Sequence, residues 1–163
     1  MHKIHLLTFL ILGTLTVQQA CVQPEDYPIE PVITFESISK SQMIQGNAFQ
    51  DTTTVVLSFT DGDGDIGTEG NDINLSMIDS RTGLESQFFS LPFVPNPNEK
   101  YGISGEIYLQ VYTVCCINPE LNEICDQWED FPVDELTYEI TLTDRAGNVS
   151  NSITTSPIQI LCN

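Results

Sequence analysis

The segment Asp61–Gly67, with the sequence DGDGDIG, places three carboxylates within five residues, directly after the apolar run Val55–Phe59. Like charges this close repel one another unless a cation lies among them. Calcium takes roughly six to eight oxygen ligands, and carboxylates at alternate positions can supply several of them. The intervening glycines let the backbone curl around an ion because they tolerate positive φ. We therefore predict that Asp61, Asp63 and Asp65 bind calcium, with a solvated acidic turn as the alternative.

The spacing of these carboxylates is similar to that of the first ligands of an EF-hand loop. Ile66 nevertheless occupies the sixth position, where an EF-hand has glycine, and no helical pattern flanks the loop. An EF-hand is therefore disfavoured. We expect a site between two loops instead, in which Asp144 or a backbone carbonyl completes the coordination and the ion has a structural role.

Alternation of apolar and polar residues dominates the chain after residue 31, and no convincing amphipathic helix appears. Short runs of this kind, separated by turn residues, are typical of a β-sandwich. We predict one all-β domain over residues 32–163, an immunoglobulin- or fibronectin-like β-sandwich of about seven strands. The predicted strands are Val32–Ile38, Thr53–Thr60, Ile73–Asp79, Glu85–Val94, Glu106–Val114, Leu136–Thr143 and Ser152–Leu161.

An immunoglobulin-like arrangement has a geometric consequence for the loops. Its second and sixth strands run in the same direction, so their exit loops, Asp61–Asn71 and Asp144–Asn148, meet at one pole. By the same parity, the cysteines that follow residue 21 all fall at the opposite pole. Within the third strand, Ile73, Leu75 and Met77 are expected to face the core together.

Cysteine usage indicates an exported protein. Four cysteines remain after Cys21, an even number that predicts two disulfides, and a bond between the neighbours Cys115 and Cys116 would strain the backbone. We expect one of these two to pair with Cys125 and the other with Cys162, and the sequence leaves open which goes where. Zinc held by four thiolates is a weak alternative because the chain has no Cys-x-x-Cys pair.

The N-terminus has the layout of a secretory signal peptide. Its apolar run, Leu6–Val17, is too short to span a bilayer, which takes roughly 20 residues. A small residue before Cys21 resembles a bacterial lipobox, although Gln18 stands where leucine is usual. We predict residues 1–20 as a signal peptide, lipidation at Cys21 and an extended tether over residues 21–31, with plain secretion as the alternative.

The formal net charge of −18 comes from 23 acidic and only 5 basic side chains. Such a surface repels nucleic acid, so we expect no nucleic-acid partner. Both histidines, His2 and His5, lie in the predicted signal peptide, which removes the usual general base and zinc ligand from the mature chain. Glycoside hydrolysis needs only two carboxylates, but no acid has flanking residues that indicate a raised pKa. We predict that the protein is not an enzyme.

The single tryptophan, Trp128, lies in the segment Asp126–Asp130 among carboxylates and an amide. Aromatic rings with such neighbours suit the recognition of sugars or proteins, and Trp128 is therefore a candidate ligand-binding residue. The alternative is that Trp128 covers the end of the core beside the disulfides.

Three segments, Phe59–Gly67, Gly105–Ile107 and Tyr138–Asn151, resemble uncharacterised envelope lipoproteins of the Bacteroidetes that carry immunoglobulin-like domains. The motif DRAGN at Asp144–Asn148 is also similar to one that recurs in bacterial immunoglobulin-like and fibronectin-like modules. The resemblance implies an envelope location and no known activity. The acidic pair at residues 25–26 is similar to the surface-export signals of that group.

Together these features predict a non-catalytic, lipid-anchored module of the outer membrane, on its surface or its periplasmic face. It would hold a structural calcium ion and bind or assemble with a protein or glycan partner. A carbohydrate-binding lipoprotein of a sugar-uptake system is the first alternative, and a small glycoside hydrolase is the second.

Overall fold

The computed structural model of the chain describes residues 26–47, 49–96, 101–118, 120, 123–127 and 129–163. Every regular element in these ranges is a β-strand. Within the same ranges, no helix is long and apolar enough to cross a membrane. The predicted signal peptide and two predicted functional residues, Cys21 and Trp128, lie outside the described residues.

Twelve strands make up the described part of the domain, and the longest are β3 and β6. In chain order they are β1 (Val32–Ile38), β2 (Gln42–Ile44), β3 (Thr52–Asp61), β4 (Leu75–Asp79), β5 (Leu84–Phe89), β6 (Ile103–Tyr112), β7 (Ile117–Asn118), β8 (Glu123–Ile124), β9 (Val133–Leu136), β10 (Tyr138–Leu142), β11 (Ile153–Thr154) and β12 (Ile158–Leu161).

Two sheets form the β-sandwich that the sequence predicts. One has the order β1-β3-β6 and the other the order β11-β10-β4-β5, with antiparallel pairing between all neighbours. Strand β3 buries every second residue, as a half-exposed strand should. Its inward side chains meet those of β4 and β10 in one core, which includes Val55, Leu57, Leu75, Met77, Tyr138, Ile140 and Leu142.

Two predicted strands are each divided in the structure. The sixth contains β10 and only the final residue of β9, Leu136, whereas the last contains β11 and β12. The two parts of each predicted strand join different sheets. The break in the last strand precedes Ile158, because Pro157 has no backbone N–H to continue the ladder. Strands β9 and β12 then form a third sheet with β2, which runs parallel to β12.

The sequence missed the shortest strands and one inward residue. Strand β2 and the hairpin of β7 and β8 were not predicted, because pieces of two or three residues carry too little alternation. The prediction that Ile73 faces the core is wrong. Strand β4 begins only at Leu75, and Ile73 lies in the preceding loop with 60% of its surface exposed.

Two disulfides, Cys115–Cys125 and Cys116–Cys162, confirm the predicted set and settle the pairing. Cys116 and Cys162 are completely buried, so this bond joins the exit of β6 to the C-terminus inside the core. The end of the sandwich that holds both bonds is called the cystine pole below. Two disulfides indicate an exported protein in an oxidising compartment rather than the cytoplasm.

A buried ion triad supports the cystine pole. The Arg81 guanidinium lies 2.6 Å from Asp79 and 2.5 Å from Asp134, and it donates a hydrogen bond to the carbonyl of Cys115 at 2.9 Å. Burial disfavours the charged guanidinium, but its hydrogen bonds to Asp79 and Asp134 outweigh this effect and raise the pKa of Arg81. The Arg81 guanidinium therefore stays charged between its two carboxylate partners.

Replacing Arg81 with methionine should destabilise the protein strongly, because two buried carboxylates would lose their cation. We expect the free energy of unfolding in urea to fall by about 3–5 kcal/mol. The matched control is Lys40→Met, which breaks the more exposed Lys40–Asp51 pair and should cost at most about 1 kcal/mol. Equal, small losses in both variants would contradict a structural role for the triad.

Candidate metal centre

The acidic loop after β3 and the turn after β10 meet at one end of the sandwich, called the acidic pole below. The N–H of Arg145 donates to the carbonyl of Asp65 at 3.2 Å, and the N–H of Ala146 donates to the Asp65 carboxylate at 2.9 Å. These contacts confirm the prediction that the two exit loops share a pole. They lie at the opposite end of β6 from the cystine pole.

Four carboxylates converge where these loops meet. Asp61, Asp63, Asp65 and Asp144 each offer one oxygen, and these oxygens all lie within 4.8 Å of one another. Asp61 is completely buried and Asp144 is 6% exposed, while the other two side chains are half-buried. All four residues predicted as metal ligands are therefore brought together.

Three carboxylate oxygens of these residues have no hydrogen-bond partner among the described residues. The Oδ1 atoms of Asp61, Asp63 and Asp65 are shielded from solvent and accept no hydrogen bond. An anionic oxygen shielded from water without a donor is costly, because it loses its hydration and gains nothing in return. This burial disfavours the alternative of a solvated acidic turn.

The remaining carboxylate oxygens hold the loops in position. Asp61 accepts a hydrogen bond from the N–H of Asp65 at 2.7 Å. Asp144 accepts two bonds from Asn148, one from its N–H and one from its side-chain amide, both at 2.7 Å. One oxygen of Asp61 and one of Asp65 are thus each fixed by a backbone donor, which orients both carboxylates within the cluster.

The nearby Arg145 forms no ion pair with the four described carboxylates, although its charge partly opposes the rise in the pKa of Asp65. The Arg145 guanidinium donates to the carbonyls of Ile66 and Gly67, at 2.8 and 3.2 Å, and lies 4.6 Å from the centre of the Phe93 ring. Among the described residues, the ion pairs all lie elsewhere and none involves the four carboxylates. Arg145 therefore braces the acidic loop and leaves room for another cation.

Two glycines in the loop are required by close contacts. Gly64 has φ +71°, and a Cβ there would lie 2.0 Å from the side-chain nitrogen of Asn96, which donates to the Asp63 carbonyl. Gly62 donates its N–H to the carbonyl of Pro28 at 2.7 Å, and a Cβ on Gly62 would lie 2.6 Å from that oxygen. The N-terminal segment therefore packs directly on the acidic loop.

The electrostatics reflect the crowding of negative charge. Burial raises the pKa of Asp61 to about 6, the hydrogen bond from Asp65 partly opposes this, and the charges of Asp63, Asp65 and Asp144 raise it further. Burial also raises the pKa of Asp65, helped by the charge of Asp144. A bound cation would reverse these shifts because it stabilises the ionised forms.

The chemistry of the donors restricts what the cluster can hold. All donors are carboxylate oxygens, which suit hard cations, and the described part of the site brings no sulfur or imidazole to it. The Oδ1 atoms of Asp61, Asp63 and Asp65 are closed off from solvent, which is typical of a structural ion rather than one that must exchange substrate. Asn148, which orients Asp144, was not predicted, although the Asp-x-x-x-Asn spacing of a tight turn could have indicated it.

No protein-family model, curated protein or solved structure matches this chain. The resemblance to envelope lipoproteins therefore stays a prediction, and the function is inferred from the geometry of the chain itself.

The crowding of carboxylates predicts an unusual pH dependence for the metal-free protein. Asp61 has a higher pKa in the folded state, about 6, than the 3.8 of a free side chain, so folding is favoured when it is protonated. This contribution is complete below about pH 4 and is lost as the pH rises through about 6. We expect the stability of the native chain relative to Asp61→Asn, measured by urea unfolding in chelator, to fall over that range.

The asparagine variant is a close control because its side-chain oxygen can still accept the hydrogen bond from Asp65. Subtracting its stability removes the titration of the other carboxylates that do not interact with Asp61. If the difference in the free energy of unfolding between the native chain and Asp61→Asn stays constant from about pH 4 to about pH 7, the inferred crowding of negative charge is contradicted.

Proposed function

We propose that this protein is a non-catalytic, lipid-anchored binding or assembly module of the cell envelope, with calcium as a structural ion at its acidic pole. The observation that carries the calcium assignment is the convergence of three buried carboxylate oxygens without partners. A divalent cation would balance the negative charge of these oxygens. Binding would fasten the loop after β3 to the turn after β10.

Calcium fits this cluster better than magnesium. Magnesium requires near-ideal octahedral geometry at about 2.0–2.1 Å and usually keeps several waters, whereas calcium tolerates irregular oxygen cages. Here the donors come from two loops, and one oxygen each of Asp61, Asp65 and Asp144 is already held by a backbone N–H group. Because the protein fixes the positions of these oxygens, the ion must adapt to them. Calcium, the larger ion, does so more readily than magnesium because its coordination geometry is more flexible.

A hydrolytic role has less support. Asp61 has the raised pKa of a general acid, but its unpaired oxygen faces three other carboxylates and is shielded from solvent. A substrate oxygen could not reach that proton without displacing the loops. The mature chain also has no histidine if the predicted signal peptide is removed. We therefore assign the acidic pole a structural role rather than a catalytic one.

Two separate features of the chain support the proposed envelope location. The two disulfides indicate export, and the apolar run before Cys21 provides the export signal and the lipid-accepting cysteine. The outer membrane is the destination that the resemblance to envelope lipoproteins implies. A partner at the membrane surface would then be a protein or a glycan.

Calcium should raise the melting temperature of the protein, whereas excess chelator should lower it. At a free concentration of about 100 times Kd, binding adds about 2.7 kcal/mol to the free energy of unfolding, which corresponds to several degrees. Asp63→Asn should lose most of this gain. The matched control is Asp72→Asn, an exposed acid of the same loop outside the cluster, which should keep it.

The sign of the Asp61→Asn effect should also reverse with calcium. Near neutral pH in chelator this variant should be more stable than the native chain, because one repelling charge is removed. In saturating calcium it should be less stable, because one ligand is weakened. Calorimetry that shows the same melting point with and without calcium for the native chain would exclude the proposed ion.

Replacing Cys21 with alanine should move the protein from the membrane fraction to the soluble fraction of cells that express the full chain. The physical reason is that a lipid chain contributes about 0.8 kcal/mol for each buried CH₂ group. Fractionation, with mass spectrometry of the N-terminal peptide, measures both anchoring and lipidation. Unmodified native protein in the soluble fraction would support plain secretion instead.

A further inference from the structure

A cleft of about 460 Å³ opens at the cystine pole, at the end of the domain opposite the carboxylate cluster. Its wall includes Gln45–Asn47, the Cys115–Cys125 disulfide and the segment Asp126–Gln127. A second cleft of similar volume adjoins it, shares Asn47 and Cys115, and continues to Tyr112. The two form one groove across this pole.

The lining of the first cleft has the chemistry of a hydroxyl-binding site. The side-chain amides of Asn47, Gln50 and Gln127 line it without a hydrogen bond to another described residue, beside the carboxylate of Asp126. Amides donate and accept, and a carboxylate accepts, which matches the paired donor and acceptor character of hydroxyl groups. The described residues that line the two clefts include no lysine or arginine, so none of them favours an anionic ligand.

An exposed aromatic ring stands at the edge of this groove. Phe49 lies in the chain between Asn47 and Gln50, and 78% of its surface is exposed. Its ring contacts that of Tyr112, which lines the second cleft, in a T-shaped arrangement with 4.7 Å between ring centres, and most of the Phe49 side chain stays exposed. Aromatic faces offer apolar area on which the C–H-bearing face of a sugar ring can pack.

Backbone strain is concentrated at the same place. Among the described residues, the two that have positive φ without being glycine are Phe49, at +82°, and Cys125, at +70°. Positive φ is unfavourable for bulky side chains and is retained where the surrounding structure imposes it, often at binding sites. Both residues belong to the loops that form the first cleft, one on each side.

The floor of the cleft is held rigidly. The Gln45 side chain donates to the carbonyl of Asp126 at 3.1 Å and accepts from the N–H of Cys116 at 3.1 Å. The backbone of Gly46 adds a bond to the carbonyl of Val114. These contacts join the two walls across the disulfides, so a ligand would lose little affinity to the ordering of the site.

We infer that this groove binds a neutral oligosaccharide, with Phe49 as the stacking platform and Asn47, Gln50, Asp126 and Gln127 as hydroxyl partners. Neutral sugars are favoured over acidic ones because the chain carries a net charge of −18 and the cleft contains a carboxylate. The inference gives the proposed binding role a surface and a ligand class. It does not depend on calcium, because the two sites lie at opposite poles.

The test is a titration of the full mature chain with neutral gluco-, manno-, galacto- and xylo-oligosaccharides. Sulfated oligosaccharides and a basic peptide are the competing probes. Calorimetry gives the affinities, and amide NMR shifts locate the site. At least one neutral oligosaccharide should bind with shifts centred on residues 45–50 and 125–127, and chelator should leave its Kd unchanged.

Phe49→Ala should weaken that binding by about tenfold or more, and Gln50→Ala should weaken it several-fold. The matched control is Tyr108→Ala, which removes an equally prominent aromatic ring, 65% exposed, from the middle of β6. It should bind as the native chain does, and melting curves verify that each variant is folded. Binding that Phe49→Ala leaves unchanged would overturn the inference, as would binding of only the sulfated sugar or the peptide, or no binding of any probe.

Failure of this test is distinguishable from failure of the calcium proposal. If the chain binds sugar but gains no stability with calcium, the groove inference stands and the calcium proposal fails. If the chain gains stability with calcium but binds no neutral sugar, the calcium proposal stands and the groove inference fails.

Discussion

Mutual repulsion among four carboxylates at the end of a buried strand is the constraint on which the acidic pole depends. Strand β3 buries every second residue, and this alternation carries Asp61 into the interior at the point where the strand ends. Glycines and backbone donors then turn Asp63 and Asp65 back towards it, and Asp144 arrives from the turn after β10. Each contact that organises the loops also brings like charges together. A cation would resolve this conflict, and the four carboxylates lie close enough together to hold one.

The two poles of the sandwich are fastened by different chemistry. At the cystine pole, covalent bonds and the Arg81 triad join the exit of β6, the hairpin β7–β8 and the C-terminus. At the acidic pole, the corresponding contacts are hydrogen bonds and, in our proposal, an exchangeable ion. The first type of cross-link persists in an oxidising compartment, whereas the second would depend on the concentration of free calcium. Rigidity at the groove is therefore independent of the ion.

The predictable parts of this protein are those with a repeating local signal. Alternation located β3 and β6 to within three residues at each end, and strand parity brought Asp144 to the acidic loop without any structural information. The division of the last two predicted strands was less accessible, because it depends on which neighbour each backbone group meets. The disulfide partners of Cys115 and Cys116 were open for the same reason. No sequence pattern indicated Phe49 as a candidate binding residue, because its positive φ and its exposure arise from how its loop packs against Tyr112.

The hydrogen bond from Gly62 to Pro28 decides which way the domain faces if its N-terminus is held in a bilayer. The polypeptide leaves the sandwich beside the carboxylates, so that end lies nearest the lipid and the groove is directed outward. The predicted tether therefore packs on the acidic loop at Pro28. With the proposed ion and lipid anchor in place, loss of calcium from the loop would weaken this attachment. The free calcium concentration would then set how firmly the domain is held upright above the membrane.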